Sequence, residues 1–146
     1  MKIRKMLIND YDKIYDLWLN TPGMGLNDID DSREGIEKYL LRNPETCFVA
    51  EKDNKIIGII MSGNDGRRGY IHHTAVSVSE RNQGIGHALL EHAMNALKVE
   101  GINKVALVVF KRNEIGNEFW ENQGFTIRED LNYRNKNINP LKRLDT

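Results

Sequence analysis

Apolar positions along this chain recur every three to four residues in some stretches and every second residue in others, and the switches between those spacings outline alternating helices and strands. Residues 3–6 read as a short strand. Asp10 then stands as a candidate cap for a helix that sets Ile14, Leu17 and Trp18 on one face, and Thr21-Pro22-Gly23-Met24-Gly25 breaks it. The acidic stretch Asp28, Asp30, Asp31 leads into a second helix, with Asp31 and Glu34 spaced as a capping pair and Ile36, Tyr39 and Leu40 facing inward. Asn43-Pro44 ends it. Strands over residues 47–51 and 56–62 are joined through Asp53-Asn54, a turn suited to an antiparallel hairpin, and Gly63-Asn64-Asp65-Gly66 turns the chain again.

Residues 70–79 alternate as one long strand, with Ala75, Val76 and Val78 near its end, and it feeds a glycine-rich turn. The helix that follows, about 15 residues by its pattern, places Ile85, Leu89, Ala93 and Leu97 on one stripe and stops at Gly101. Residues 104–110 are valine-rich, as a buried strand should be. Residues 114–122 form a short helix, Gly124-Phe125 turns into a sixth strand, and residues 131–138 give a seventh. This is a mixed α+β layout in which one strand–helix–strand crossover surrounds the glycine-rich turn. No repeat or low-complexity tract divides residues 1–146, which read as one domain.

Charge narrows the partners. Lys plus Arg equals Asp plus Glu at 21 each, so no global field favours nucleic acid or an anionic membrane. The single cysteine, Cys47, excludes an intramolecular disulfide and is expected to be an inert buried thiol. No Cys/His cluster has zinc spacing, so no metal is expected. The first residues include basic side chains but no apolar run of signal-peptide length, and no later stretch reaches the length of a membrane span. A soluble, cytoplasmic protein is the expectation.

The chemistry concentrates at Arg81-Asn82-Gln83-Gly84-Ile85-Gly86-His87, where a strand passes through glycines directly into a helix. Helix-start N–H groups have no intrahelical partner, the dipole adds partial positive charge, and glycine admits a phosphate close to the main chain. A Rossmann fingerprint would need a small residue at Leu89, and a P-loop would need Lys and Ser/Thr where His87 and Ala88 stand. What remains, Arg81-x-x-Gly84-x-Gly86, resembles the acetyl-CoA pyrophosphate loop of the GNAT superfamily of N-acetyltransferases. A second stretch, from Asn113 through Gly116, Phe119 and Trp120 to Gly124-Phe125, is similar to that family's Asn-x-x-Ala-x-x-Phe-Tyr-x-x-x-Gly-Phe.

The resemblance spans nearly the whole chain and implies the GNAT fold. That is a central mixed, mostly antiparallel twisted sheet of about six to seven strands, splayed at the cofactor site, with helices around it. It implies acetyl transfer from acetyl-CoA to a primary amine by direct attack, or alternatively a non-catalytic acyl-CoA-binding sensor. It assigns the main chain of Ala75, Val76 and Val78 to pantetheine, and Asn82, Gln83, Gly84, Ile85, Gly86 and His87 to pyrophosphate. Arg81 either pairs with phosphate or braces the loop. Asn113 lies near the cofactor amides or caps a helix, and Gly116 leaves room for the cofactor tail.

Trp120 stands where the family commonly has a tyrosine acid, and an indole donates a hydrogen bond without being a useful acid. Tyr133 and Tyr70 are the alternatives for that role. Val108 and Val109 occupy the region where some members carry a glutamate base. His72 and His73 are the remaining base candidates, since one of two adjacent strand residues must face the active side of the sheet, and Glu51 is a further one acting through water. Asp28, Asp30 and Asp31 either attract a cationic amine or are the acids common at a helix start. Relatives commonly dimerise through their C-terminal strands.

Overall fold

The computed structural model describes residues 1–144. Strand β1 (Lys2–Lys5) passes through a 3-10 turn (Ile8–Asp10) into helix α1 (Tyr11–Leu19), followed by β2 (Leu26–Asn27) and α2 (Arg33–Arg42). Strands β3 (Phe48–Lys52), β4 (Lys55–Asn64) and β5 (Gly69–Val76) come next, then α3 (Ile85–Val99), β6 (Val105–Ala106), α4 (Glu114–Asn122) and β7 (Arg143–Leu144). The main sheet has five strands in the order β1-β3-β4-β5-β6. Every neighbouring pair in it is antiparallel except β5 and β6, which run parallel across α3.

The β3–β4 hairpin forms at its turn because Asp53 and Asn54 both take positive φ, 52° and 61°, which matches the twist of the flanking strands. Side-chain alternation then divides the core. Val49, Ile59 and Met61 pack with Ile14, Trp18, Ile36 and Leu40 from α1 and α2. Phe48, Ala50 and Ile60 pack with Ile85, Leu89 and Ala93 from α3, joined at the margin by Trp120 and Phe125. The sheet is therefore covered on both faces, and β4 at its centre is buried over most of its length.

Several expected elements differ. Asp10 does not cap α1 with its side chain; it accepts the Leu7 N–H at 2.9 Å and both guanidinium nitrogens of Arg4 at 2.8 Å. Ser32, not an Asp31–Glu34 pair, caps α2 by accepting the Gly35 N–H at 3.0 Å. The long strand over 70–79 ends at Val76, and Val78–Glu80 is a 3-10 turn. Of residues 104–110 only Val105 and Ala106 pair, and Val108 is exposed rather than buried.

The sixth and seventh strands expected after Gly124 are absent among the described residues, and Ile127, Leu131 and Ile138 lie exposed. Instead β7 pairs with β2 in a separate ribbon, Leu26 opposite Leu144, which ties the loop between α1 and α2 to the end of the described chain. Cys47 is buried, and burial pushes its thiol up to about 12, as an inert core cysteine requires.

Candidate active site

The site begins where β5 and the chain after β6 part company. Gly69 and Tyr70 pair with Val105 and Ala106, and the pairing stops there. Residues 107–110 are drawn toward α4, because the Phe110 carbonyl accepts both the Asn113 N–H at 3.0 Å and Asn117 Nδ2 at 3.0 Å. A cavity of about 360 Å³ opens in the gap. Its walls are Tyr70 to Thr74 on β5, Leu107 to Phe110 opposite, Gly23 to Gly25 above, and Asn113, Trp120 and Tyr133. The roof fits closely, since a side chain at Gly25 would meet the Phe110 ring at 2.8 Å and Gly25 has φ +66°.

Downstream, Val76 leads through the 3-10 turn to α3. Gly84 is its N-cap with φ 80°, and no side chain caps the helix. The first intrahelical bond runs from the Ala88 N–H to the Gly84 carbonyl at 3.0 Å, so the N–H groups of Ile85, Gly86 and His87 have no intrahelical partner. Nothing lies within 4 Å of a Cβ built on Gly84, so that helix start is open to a ligand. Arg81 braces the loop, its Nε donating to the Val76 carbonyl at 3.3 Å. Asn82 takes φ 63°, Asn82 and Gln83 are exposed, and His87 Nδ1 lies 2.7 Å from Gln123 Oε1. Ala75 and Val76 pair with Ile59 and Gly58 on β4, and Val78 is exposed on the turn.

Asn113 caps α4, its Oδ1 accepting the Gly116 N–H at 2.9 Å, and it also lines the cavity. A Cβ at Gly116 would stand 2.5 Å from that side chain, so the cap requires a small residue there. Trp120 lines the cavity and is held edge-on by Phe119 and Phe125 at 4.9 and 5.3 Å between ring centroids.

The two histidines do not divide between faces as simple alternation requires; both line the cavity. A β-bulge explains it: Ile59 faces Ala75 but Met61 faces His72, so His73 and Thr74 share the space opposite one β4 residue, and His73 takes φ +44°. His72 packs 4.4 Å from the Tyr70 ring and edge-on to Tyr39 at 5.6 Å. Burial, reinforced by the His73 charge, pushes its imidazole down to about 4 against the pull of Asp31 and Asp30, so it is neutral at pH 7.

His73 Nε2 lies 2.6 Å from Asp31 Oδ1, and its carbonyl accepts Trp18 Nε1 at 3.1 Å. Tyr133 reaches the cavity from an exposed segment. Burial, then the Tyr133 charge, raises the Tyr70 phenol above its ordinary value. Glu51 lies apart, two strands away on β3, bound to Arg4 at 3.2 Å. The acidic stretch is engaged internally: Asp28 accepts the Lys142 N–H at 2.7 Å, Asp30 accepts Asn27 Nδ2 at 3.0 Å, and Asp31 is buried.

With this geometry in place, comparison with known proteins decides the family. The model of the Acetyltransferase (GNAT) family matches residues 11–125. The chain belongs to the GNAT acetyltransferase family. It is 31% identical to an acetyltransferase of Photorhabdus laumondii over 118 residues, covering 78% of each chain. It is also 31% identical to one of Pectobacterium atrosepticum over 114 residues, covering 78% of this chain and 79% of that one.

In fold, this GNAT chain is similar to the PaiA N-acetyltransferase of Thermoplasma acidophilum in complex with coenzyme A. The TM-score is 0.76 at 20% identity, over 88% of this chain and 91% of that one. An acetyltransferase of Clostridium acetobutylicum with acetyl-CoA superposes with a TM-score of 0.71 at 19% identity, over 92% and 95%. Around the cavity, Asp31 as partner of His73, Thr74 on the wall, and Asn117 as a donor to the Phe110 carbonyl escaped the sequence. Only the bulge makes Asp31 and Thr74 site residues, and a bulge leaves no spacing signal.

Proposed function

We propose that this GNAT protein, residues 1–146 acting as one domain, transfers an acetyl group from acetyl-CoA to a primary amine by direct attack. The observation that carries the reading is the succession, along one strand and the turn after it, of the cavity between β5 and residues 107–110 and then the uncapped start of α3. An extended amide chain ending in a pyrophosphate has complementary groups at both. Thr74 Oγ1, buried on the cavity wall with no hydrogen-bond partner among the described residues, is a further polar group for such a ligand to satisfy. Acetyl-CoA would be held at pyrophosphate by Asn82 to His87 and along pantetheine by the main chain of Ala75, Val76 and Val78, and it supplies the activated acyl group.

His73 is the group of choice for taking the amine proton. His72, kept neutral among aromatic rings, and Tyr133 shape the space beside it. Trp120, packed and without an acidic proton, favours a second reading in which acyl-CoA is bound but not turned over. Thiol release from acetyl-CoA with a panel of primary amines and peptides separates the two. Turnover of any acceptor supports transfer, and tight CoA binding without turnover of any supports the sensor. A cytoplasmic location and a homodimer accord with this reading.

A further inference from the structure

We infer that Asp31 and His73 act as a pair, in which Asp31 positions the imidazole so that Nδ1 takes the proton of the incoming amine. The inference rests on the transfer reading above. An ionised carboxylate only accepts hydrogen bonds, so the 2.6 Å contact places the proton on His73 Nε2 and leaves the lone pair on Nδ1, which has no protein partner among the described residues.

Both members are fixed from behind. Asp31 Oδ2 accepts the Asn27 N–H at 2.8 Å and its carbonyl accepts the Tyr11 hydroxyl at 2.7 Å, which leaves Oδ1 for the imidazole. The His73 carbonyl is held by Trp18 Nε1, whose ring meets the imidazole edge-on at 5.1 Å. The imidazole sits on a bulge at φ +44°, a left-handed conformation that is strained for a non-glycine residue and that places it on the cavity wall. Asp31 side-chain exposure is 5% and that of His73 is 19%, so the carboxylate is sheltered while the ring still reaches the cavity. The other titratable groups around the pair among the described residues are His72, 6.2 Å from His73 between ring centroids, Tyr11 on α1, Asp30, which acts on His72, and Tyr70 and Tyr133 on the cavity wall.

The step balances. The ammonium nitrogen of the acceptor gives one proton to His73 Nδ1, and its freed electron pair forms the C–N bond to the thioester carbon. The C–S bond breaks with its pair going to sulfur, and the thiolate takes the second proton from nitrogen. His73 then returns its proton to solvent.

The test compares wild type with Asp31→Asn and His73→Gln, using acetyl-CoA and two amines: 2-phenylethylamine, charged at pH 7, and methoxyamine, already neutral there. Both variants are expected to lose roughly 100-fold in turnover of 2-phenylethylamine at pH 7, less as pH rises toward the amine's own deprotonation, and under about tenfold with methoxyamine. CoA affinity should stay within about twofold of wild type if the pair acts only on the acceptor. Long-range ¹⁵N–¹H spectra of the histidine rings, recorded without any amine, should show His73 protonated on Nε2 in wild type and a mixed tautomer in Asp31→Asn. A wild-type ring protonated on Nδ1, or equal losses for both amines at every pH, overturns the pairing. Wild-type protein that binds CoA and releases no thiol with any amine overturns the transfer reading instead, and the ring spectrum tells the two failures apart.

Discussion

Beyond Val76 the chain offers a ligand its backbone: uncapped N–H groups at Ile85, Gly86 and His87, a glycine cap, and exposed loop residues around them. At the middle of β5 it offers side chains: His73 on a bulge, Asp31 brought from the loop before α2, and Trp18 from α1. The first region needs few contacts from elsewhere, since a strand, two glycines and a helix generate it locally. The second exists only when three distant segments meet. One end is therefore set by sequence order and the other by tertiary packing, and substitutions should affect the two separately.

The largest effect is expected at Trp18, fully buried under the bulge. Trp18→Ala should cost about 4 kcal/mol in chemical unfolding. Trp18→Phe keeps most of the packing but removes the donor to the His73 carbonyl, and should cost about 1 kcal/mol while lowering transfer and leaving CoA affinity unchanged. If Trp18→Phe weakened CoA binding as much as transfer, the two regions would not be independent.

His72 sharpens the contrast through pH. Its folded value is pushed down to about 4 from 6.5, so the unfolded chain binds a proton that the folded chain refuses. Stability from this residue is complete above pH 6.5 and declines as pH falls toward 4, by at most about 3 kcal/mol. His72→Phe should flatten the melting temperature over that interval, whereas His87→Phe, exposed at the other end, should leave its slope as it is.

At the backbone-built end, Gly84→Asp sets a carboxylate where the pyrophosphate belongs. It should weaken CoA binding by roughly 100-fold in calorimetric titration. Left-handed strain at φ 80° should cost only about 1 kcal/mol of stability, because nothing crowds the new Cβ. The smallest effect is expected at Asn113, which caps α4. Asn113→Ala should cost about 1 kcal/mol in thermal unfolding.

The same contrast explains what the sequence disclosed. The turn at Asp53-Asn54, the α3 stripe and the bounds of α4 follow from local spacing and were all legible. The glycine-rich turn was legible for the same reason. Residues 107–110 are a continuous apolar run like a buried strand, yet Asn117 and Asn113 hold the Phe110 carbonyl, and that competition between partners is not written in composition. Residues 131–138 form no strand either: Leu131, Tyr133 and Ile138 are interleaved with three asparagines, a residue type poor in strands, and all three lie exposed. Asp31 looked like an ordinary acid near a helix start. Its partner lies 42 positions away and faces it only because β5 carries one extra residue opposite β4.

The central claim is that CoA lies along β5 and ends on the start of α3. Backbone amide shifts on titration with CoA test it most directly. The largest changes are expected at residues 84–87 and along 71–76, with smaller ones at 107–110. Saturable binding that leaves the amides of Ile85, Gly86 and His87 unmoved would contradict it.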